Sequence, residues 1–145
     1  MAHMEDHARA LADGIEAALP GWVVRSVKAR LPDADEAVVR AAEDAGARAA
    51  TEVGAVVRRL LALDIDEQRT TPLTLVRGAV RYPAEVLRAA GVPPVERDPF
   101  SQEHFPDDDY DLTPATFADV DPSLADVGLA WGAAKAWEHK RRHRP

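Results

Sequence analysis

Apolar positions in the first third of the chain recur at helical spacing. Leu11, Ile15 and Leu19 stand four apart with charged residues between them, the mark of one helical face over residues 5–19. Pro20-Gly21 follows. Because proline lacks the donor that a helix interior needs, the pattern predicts a turn or kink there, then a second short helix through Leu31 that buries Trp22, Val23, Val27 and Leu31. After Leu31-Pro32, Asp33 and Glu36 have the spacing of a capping box. The longest periodic run begins here: Val38, Ala42, Ala45, Ala49, Val53, Val56, Leu60 and Leu63 alternate three- and four-residue steps. This predicts a central helix of about 29 residues, roughly 44 Å long. Alanine lines its first half and Gly46 and Gly54 thin it further, so another helix, from the same chain or from a second copy, can approach closely.

From Asp64 to Gly91 the turn residues mark two short helices. Thr71-Pro72 supplies a cap and a first-turn proline, Tyr82-Pro83 breaks the helix and starts another, and Gly91 ahead of Val92-Pro93-Pro94 closes it. Leu73, Val76, Val80, Val86 and Leu87 point to a core. Residues 92–121 hold five prolines, Pro93, Pro94, Pro99, Pro106 and Pro114, which excludes any long regular element and predicts an extended wrapping loop. Within it Thr113-Pro114 can start one helical turn through Ala118. Asp121-Pro122 is the expected cap of a last helix whose inner face is Leu124, Val127, Trp131 and Ala134. No strand signal of useful length occurs. The expected fold is therefore all-α: a single-domain helical bundle over residues 1–145 with one long central helix, a proline-rich loop before the C-terminal helix, and a basic, frayed tail at 138–145.

Composition narrows the chemistry. With no cysteine in 145 residues, disulfides, thiolate metal sites and cysteine nucleophiles are excluded. No apolar run reaches the roughly 20 residues that span a bilayer, and the N-terminus lacks the pattern of a signal peptide. The expected setting is the cytoplasm, with no membrane contact. The net charge of −7 is local: residues 92–126 carry ten acidic side chains and one basic, whereas residues 127–145 carry five basic and one acidic. An acidic lobe beside a basic tail suggests pairing within the protein or with a partner.

Several constellations bear on chemistry. Asp107, Asp109 and Asp111 have the first spacings of a calcium loop, but Leu112 stands where the turn needs glycine and Ala118 where a bidentate glutamate belongs. The stretch reads instead as an acidic-aromatic surface segment, with Phe100, Phe105, Asp107, Asp108, Asp109, Tyr110 and, further on, Trp137 as candidate partner-binding residues. Arg77, Arg81 and Arg88 form a basic stripe that either pairs with the aspartates or binds an anion such as phosphate or carboxylate. The histidine pairs His139/His143 and His3/His7 have a one-turn spacing, but Lys140, Arg141, Arg142 and Arg144 surround the former with positive charge, so no metal or other cofactor is expected. None of Ser26, Ser101 and Ser123 sits in a nucleophile elbow, and His104 near Ser101, Glu103 and Asp107 is the one conceivable acid/base site. The basic tail lacks interleaved aromatics or a recognition helix, so nucleic acid is not an expected partner.

The runs RTTPLTLVRGAVRYPAEVLRAAGVPPVERDPF, FPDDDYDLTPATFADVDPSL and LAWGAAKAW resemble a family of small uncharacterised helical proteins from high-GC actinobacteria, over roughly the second half of the chain. The resemblance implies a bacterial origin and brings no activity, cofactor or catalytic residue. Taken together, the sequence points to a non-catalytic binding or adaptor protein whose partner is another protein or a second copy. The rival reading is a small enzyme or anionic-ligand-binding protein with a pocket near Arg77, Arg81 and His104.

Overall fold

Two antiparallel helices of 27 residues each, α1 (Met4–Arg30) and α2 (Glu36–Ala62), carry the molecule in the computed structural model, which describes residues 3–144. The break expected at Pro20-Gly21 does not occur, and Pro20 lies inside an unbroken α1. An interior proline costs about 3 kcal/mol. Against it, Leu11, Ile15, Leu19, Val23 and Val27 form one buried ridge that crosses the proline without losing step, and each such side chain gains roughly 1.5–3 kcal/mol on burial. The ridge prevails. Gly46 of α2 lies directly on the proline turn: a Cβ there would stand 2.9 Å from the Pro20 Cα and 2.9 Å from its carbonyl oxygen.

The cap of α2 is Asp35 rather than Asp33, its carboxylate accepting the Val38 N–H at 2.9 Å. Ala42, Ala45, Ala49, Val53 and Leu60 are buried as the periodicity predicts, but Val57 replaces Val56 on the core face and Leu63 is exposed. A straight helix of 3.6 residues per turn drifts off a strict heptad seam, and over this length the drift moves the face by one residue. The alanine seam of the first half of α2, Ala42, Ala45 and Ala49, is buried within the chain.

At the far end of the hairpin Arg58 ties the pair together, donating from Nε to Glu16 Oε1 at 2.7 Å and from Nη2 to Glu16 Oε2 at 2.9 Å, with Asp13 also bound. The hydrogen bond from Arg58 holds the Glu16 carboxyl below its ordinary range. Lowered in the fold, this group contributes stability that is present above the ordinary glutamate value and lost as pH falls through the lowered one. Both partners are more than a third exposed, which limits the contribution to about 1 kcal/mol or less. Glu16→Gln is expected to destabilise the protein by that amount at neutral pH and by nothing in acid, as read from urea midpoints at both pH values.

Beyond α2 come a 3-10 turn (Ile65–Glu67), α3 (Pro72–Arg77), a 3-10 turn (Gly78–Val80) and α4 (Arg81–Ala89). Thr71 caps α3 as expected, accepting the Thr74 N–H. The junction between the two helices falls at Gly78–Val80, ahead of Pro83, which sits in the first turn of α4, where its missing donor is harmless. Gly91, at φ +78°, closes α4: the Val92 N–H bonds to the Leu87 carbonyl and the Gly91 N–H to that of Arg88, each at 3.0 Å.

Two short helices interrupt the proline-rich segment, α5 (Pro99–His104) and α6 (Phe117–Val120). The expected turn from Thr113-Pro114 is displaced to Phe117, with Thr116 and Asp119 forming a capping box. The last helix, α7 (Leu124–Arg142), has Ser123 rather than Asp121 at its N-cap position, the Asp121 carboxylate accepting the Ser123 N–H at 2.9 Å. It continues through the basic tail as far as Arg142, so residues 138–142 are helix where fraying was expected. The fold is all-α, with one core shared by α1, α2, α3, α4, α6 and α7. Among the described residues there is no strand, and no helix is long and apolar enough to cross a membrane.

Candidate functional site

The acidic segment is fastened to the bundle residue by residue. Asp108 is 2% exposed, and its carboxylate accepts from the backbone N–H groups of Leu112 and Thr113 and from the Thr113 hydroxyl, at 2.6–2.9 Å. A buried carboxylate needs such donors, and this one finds all of them in the next five residues. The tight path puts Asp111 at φ +56°, a left-handed conformation that aspartate tolerates better than most residues. Tyr110, 1% exposed, donates its hydroxyl to the Val92 carbonyl at 2.6 Å. The Val95 N–H reaches the Asp109 carbonyl at 2.9 Å, so the two arms of the loop are joined.

The arginine stripe takes part in the same fastening. Arg88 binds Asp109 at 3.0 Å. Arg77 donates to the carbonyls of Pro114 and Ala115 at 3.1 and 2.9 Å. Arg81 turns the other way, toward the Tyr82 hydroxyl and Glu52 of α2. Arg97 and Arg25, which the sequence did not single out, complete the set by donating to the Phe105 and Val120 carbonyls, each at 2.6 Å. Arg97 lies inside the proline-broken loop it binds, whereas Arg25 is 95 residues from its acceptor and carries no signal in the sequence.

The seven candidate partner residues therefore divide. Asp108 and Tyr110 are buried and hydrogen-bonded inside the loop, which removes them from the accessible surface. Phe105 and Asp109 are half-buried, and Asp107 is exposed. Phe100 is 63% exposed and stacks on His104 at a ring separation of 4.0 Å. The His104 Nδ1 contacts its own helix at the Phe100 carbonyl.

Trp137 lies elsewhere, on the outer face of α7. There it is 62% exposed, and Leu129, a residue that sequence reading passed over, is 72% exposed. The inner face of the helix is filled by Leu124, Gly128 and Trp131. Gly128 makes room for Phe117, whose ring carbon would stand 2.6 Å from an added Cβ, whereas Gly132 has nothing within 4 Å. On the outer face, at 3.6 residues per turn, Asp126, Leu129, Ala133, Trp137 and Lys140 all fall within about 40° of one line along the helix. All five are exposed.

Among the described residues, open clefts lie at two places on the surface. The larger, about 1010 Å³, runs between the start of α1 and the ends of α2 and α7 and is lined by His3, Met4, Arg58, Asp64, Glu138 and Arg142 among others. The smaller lies over the Glu16–Arg58 contact. Neither is lined by Arg77, Arg81, Arg88 or His104. At the rim of the larger cleft the end of α7 is clamped to the turn after α2. Arg142 binds Asp64, Asp66 and Glu138, and both His139 and His143 approach Asp66.

Compared with protein-family models, with curated proteins and with solved structures, the chain matches none.

Proposed function

We propose that the protein is a non-catalytic binding protein that assembles through the outer face of α7, and that the partner this face fits is a second copy of the chain. The observation that carries the reading is the arrangement about Ala133. Leu129 and Trp137 stand four residues to either side of it, and Asp126 and Lys140 seven to either side. When two such faces meet antiparallel about a two-fold axis, Asp126 of each copy comes to Lys140 of the other. The large side chains then fall opposite small ones, Leu129 beside Ala136 and Trp137 beside Ala130, the pattern by which helices pack. Ala130, Ala133 and Ala136 are exposed and leave room for it. In this reading the acidic segment is scaffold that holds α7 in place, since Arg77 and Arg88 bind it from α3 and α4 while Asp108 and Tyr110 are buried and hydrogen-bonded to Thr113 and Val92.

A single helix pair lies at the small end of specific interfaces, about 1,200 Å² or less, so the dimer is weak and is to be sought at high concentration. Sedimentation equilibrium of the full chain is expected to show reversible dimerisation. Asp126→Lys places two like-charged pairs in the interface, one at each end, as does Lys140→Asp. Each is expected to weaken the dimer about tenfold or more, equivalent to roughly 1.4 kcal/mol. The double exchange restores the pairing. A monomer at every concentration, or a double variant no better than the singles, overturns the self-pairing.

A further inference from the structure

We infer that Asp66, His139 and His143 form a binding site for a divalent transition-metal ion, zinc being the best match, which staples the end of α7 to the turn after α2. His139 lies in the last turn of α7 and His143 is the residue that caps it, its N–H bonded to the His139 carbonyl at 3.0 Å, so the i, i+4 spacing that lets two imidazoles reach one ion is kept across the helix end. Asp66 comes from the separate 3-10 turn Ile65–Glu67, and the two rings converge on the same carboxylate oxygen. The Asp66 Oδ1 is 3.0 Å from His143 Nε2 and 3.6 Å from His139 Nδ1, and one ligand atom from each of the three lies within 4.8 Å of the others. Ligands of a tetrahedral zinc ion, at bond lengths of about 2.1 Å, stand about 3.4 Å apart. A small contraction of exposed side chains therefore completes three corners, and water supplies the fourth.

Of the basic neighbours that argue against a cation on sequence grounds, Arg141 and Arg142 are paired with carboxylates in the fold. Arg142 is bound by Asp64 and Glu138 as well as by Asp66, so it keeps two carboxylates when Asp66 turns to an ion. Arg141 is paired with Glu138, and Lys140 belongs to the outer face of the helix. The carbonyl end of a 19-residue helix adds negative potential at the same place. An ion pair alone requires only one histidine at Asp66. Two rings with centroids 4.3 Å apart oppose one another if both are protonated, whereas both coordinate a metal when neutral.

The test uses the full chain carrying His3→Ala and His7→Ala, so that the N-terminal histidines take no part, in a mildly alkaline buffer. Zinc is titrated by calorimetry and cobalt(II) by its visible absorption, which distinguishes four-coordinate from hydrated ion. One ion per chain is expected, with increased amide-exchange protection at the end of α7. His139→Ala, His143→Ala and Asp66→Asn are each expected to weaken zinc binding about tenfold or more. At a zinc concentration 100 times the Kd, the folded-to-unfolded ratio rises about 100-fold. Absence of a one-to-one complex overturns the site. So does affinity unchanged by Asp66→Asn, which would leave only a histidine pair without the staple. The residues involved lie beside the self-pairing face rather than in it, so a monomeric protein that binds zinc, or a dimer that does not, separates the two readings.

Discussion

Asp108→Ala is expected to destabilise the protein by about 3 kcal/mol and to unfasten the segment from Phe105 to Thr116. The carboxylate is buried and accepts from two backbone N–H groups and one hydroxyl. A hydrogen bond to a charged acceptor contributes about 1.5–3 kcal/mol. The freed donors recover part of the loss by turning to water, which is why the total falls below the sum. Asp108→Asn keeps one acceptor oxygen and is expected to cost about half as much. Urea unfolding gives the magnitude, and limited proteolysis locates the opening. Cleavage confined to the segment while α1 and α2 persist is the expected pattern. An alanine variant with an unchanged midpoint would show that the anchor lies elsewhere, with Tyr110 the next place to look.

Gly46→Ala is expected to destabilise by about 1–3 kcal/mol, although alanine is the better helix former by about 1 kcal/mol. The added methyl would meet the backbone of Pro20 at 2.9 Å, and backbone of one helix cannot step aside without separating the α1–α2 pair along its length. Gly132→Ala provides the opposite sign in the same background. Nothing lies within 4 Å of a Cβ at that position, and about 0.5–1 kcal/mol of stabilisation is expected from propensity alone. Thermal unfolding of the two variants reads the difference. Equal effects of one sign would falsify the close approach at Pro20.

Most of the fold was legible from residue spacing. The seam of α2, the Thr71-Pro72 cap and the Gly91 stop follow from local rules, and they appear within a residue or so of their expected places. The misplaced break at Pro20 came from weighing one residue above a pattern. The steps Leu11, Ile15, Leu19, Val23 and Val27 run evenly across it, and five buried side chains outweigh one missing donor. Asp33 and Asp35 are both able to cap, and only the path of the chain chooses between them.

The surface was harder to read. Asp107, Asp108, Asp109 and Asp111 look alike in sequence, yet one is buried, one pairs with Arg88 and one adopts a left-handed turn. Identical side chains in one run give no cue to those fates: Asp108 turns inward onto the Leu112 and Thr113 N–H groups, and only Asp109 is held from a distance, by Arg88 21 residues away. The contact of Asp66 with His143, across 77 residues, had no local signal either. Leu129 was visible as the apolar residue that falls off the Leu124–Trp131 face, a cue that carries weight only once that face is known to be the buried one.

The same long-range contacts imply an order of assembly. The α1–α2 hairpin closes through residues 31–35, whereas the bond from Arg25 to the Val120 carbonyl joins residues 95 apart. By loop-length scaling the longer closure costs roughly 2–3 kcal/mol more in chain entropy. The hairpin thus forms while the acidic segment is still free, and it already displays Arg25. Once Arg77 and Arg88 are laid down beside it, an acidic stretch meets a basic surface waiting for it. Charge then draws the segment in ahead of close packing, and added salt slows that final docking step.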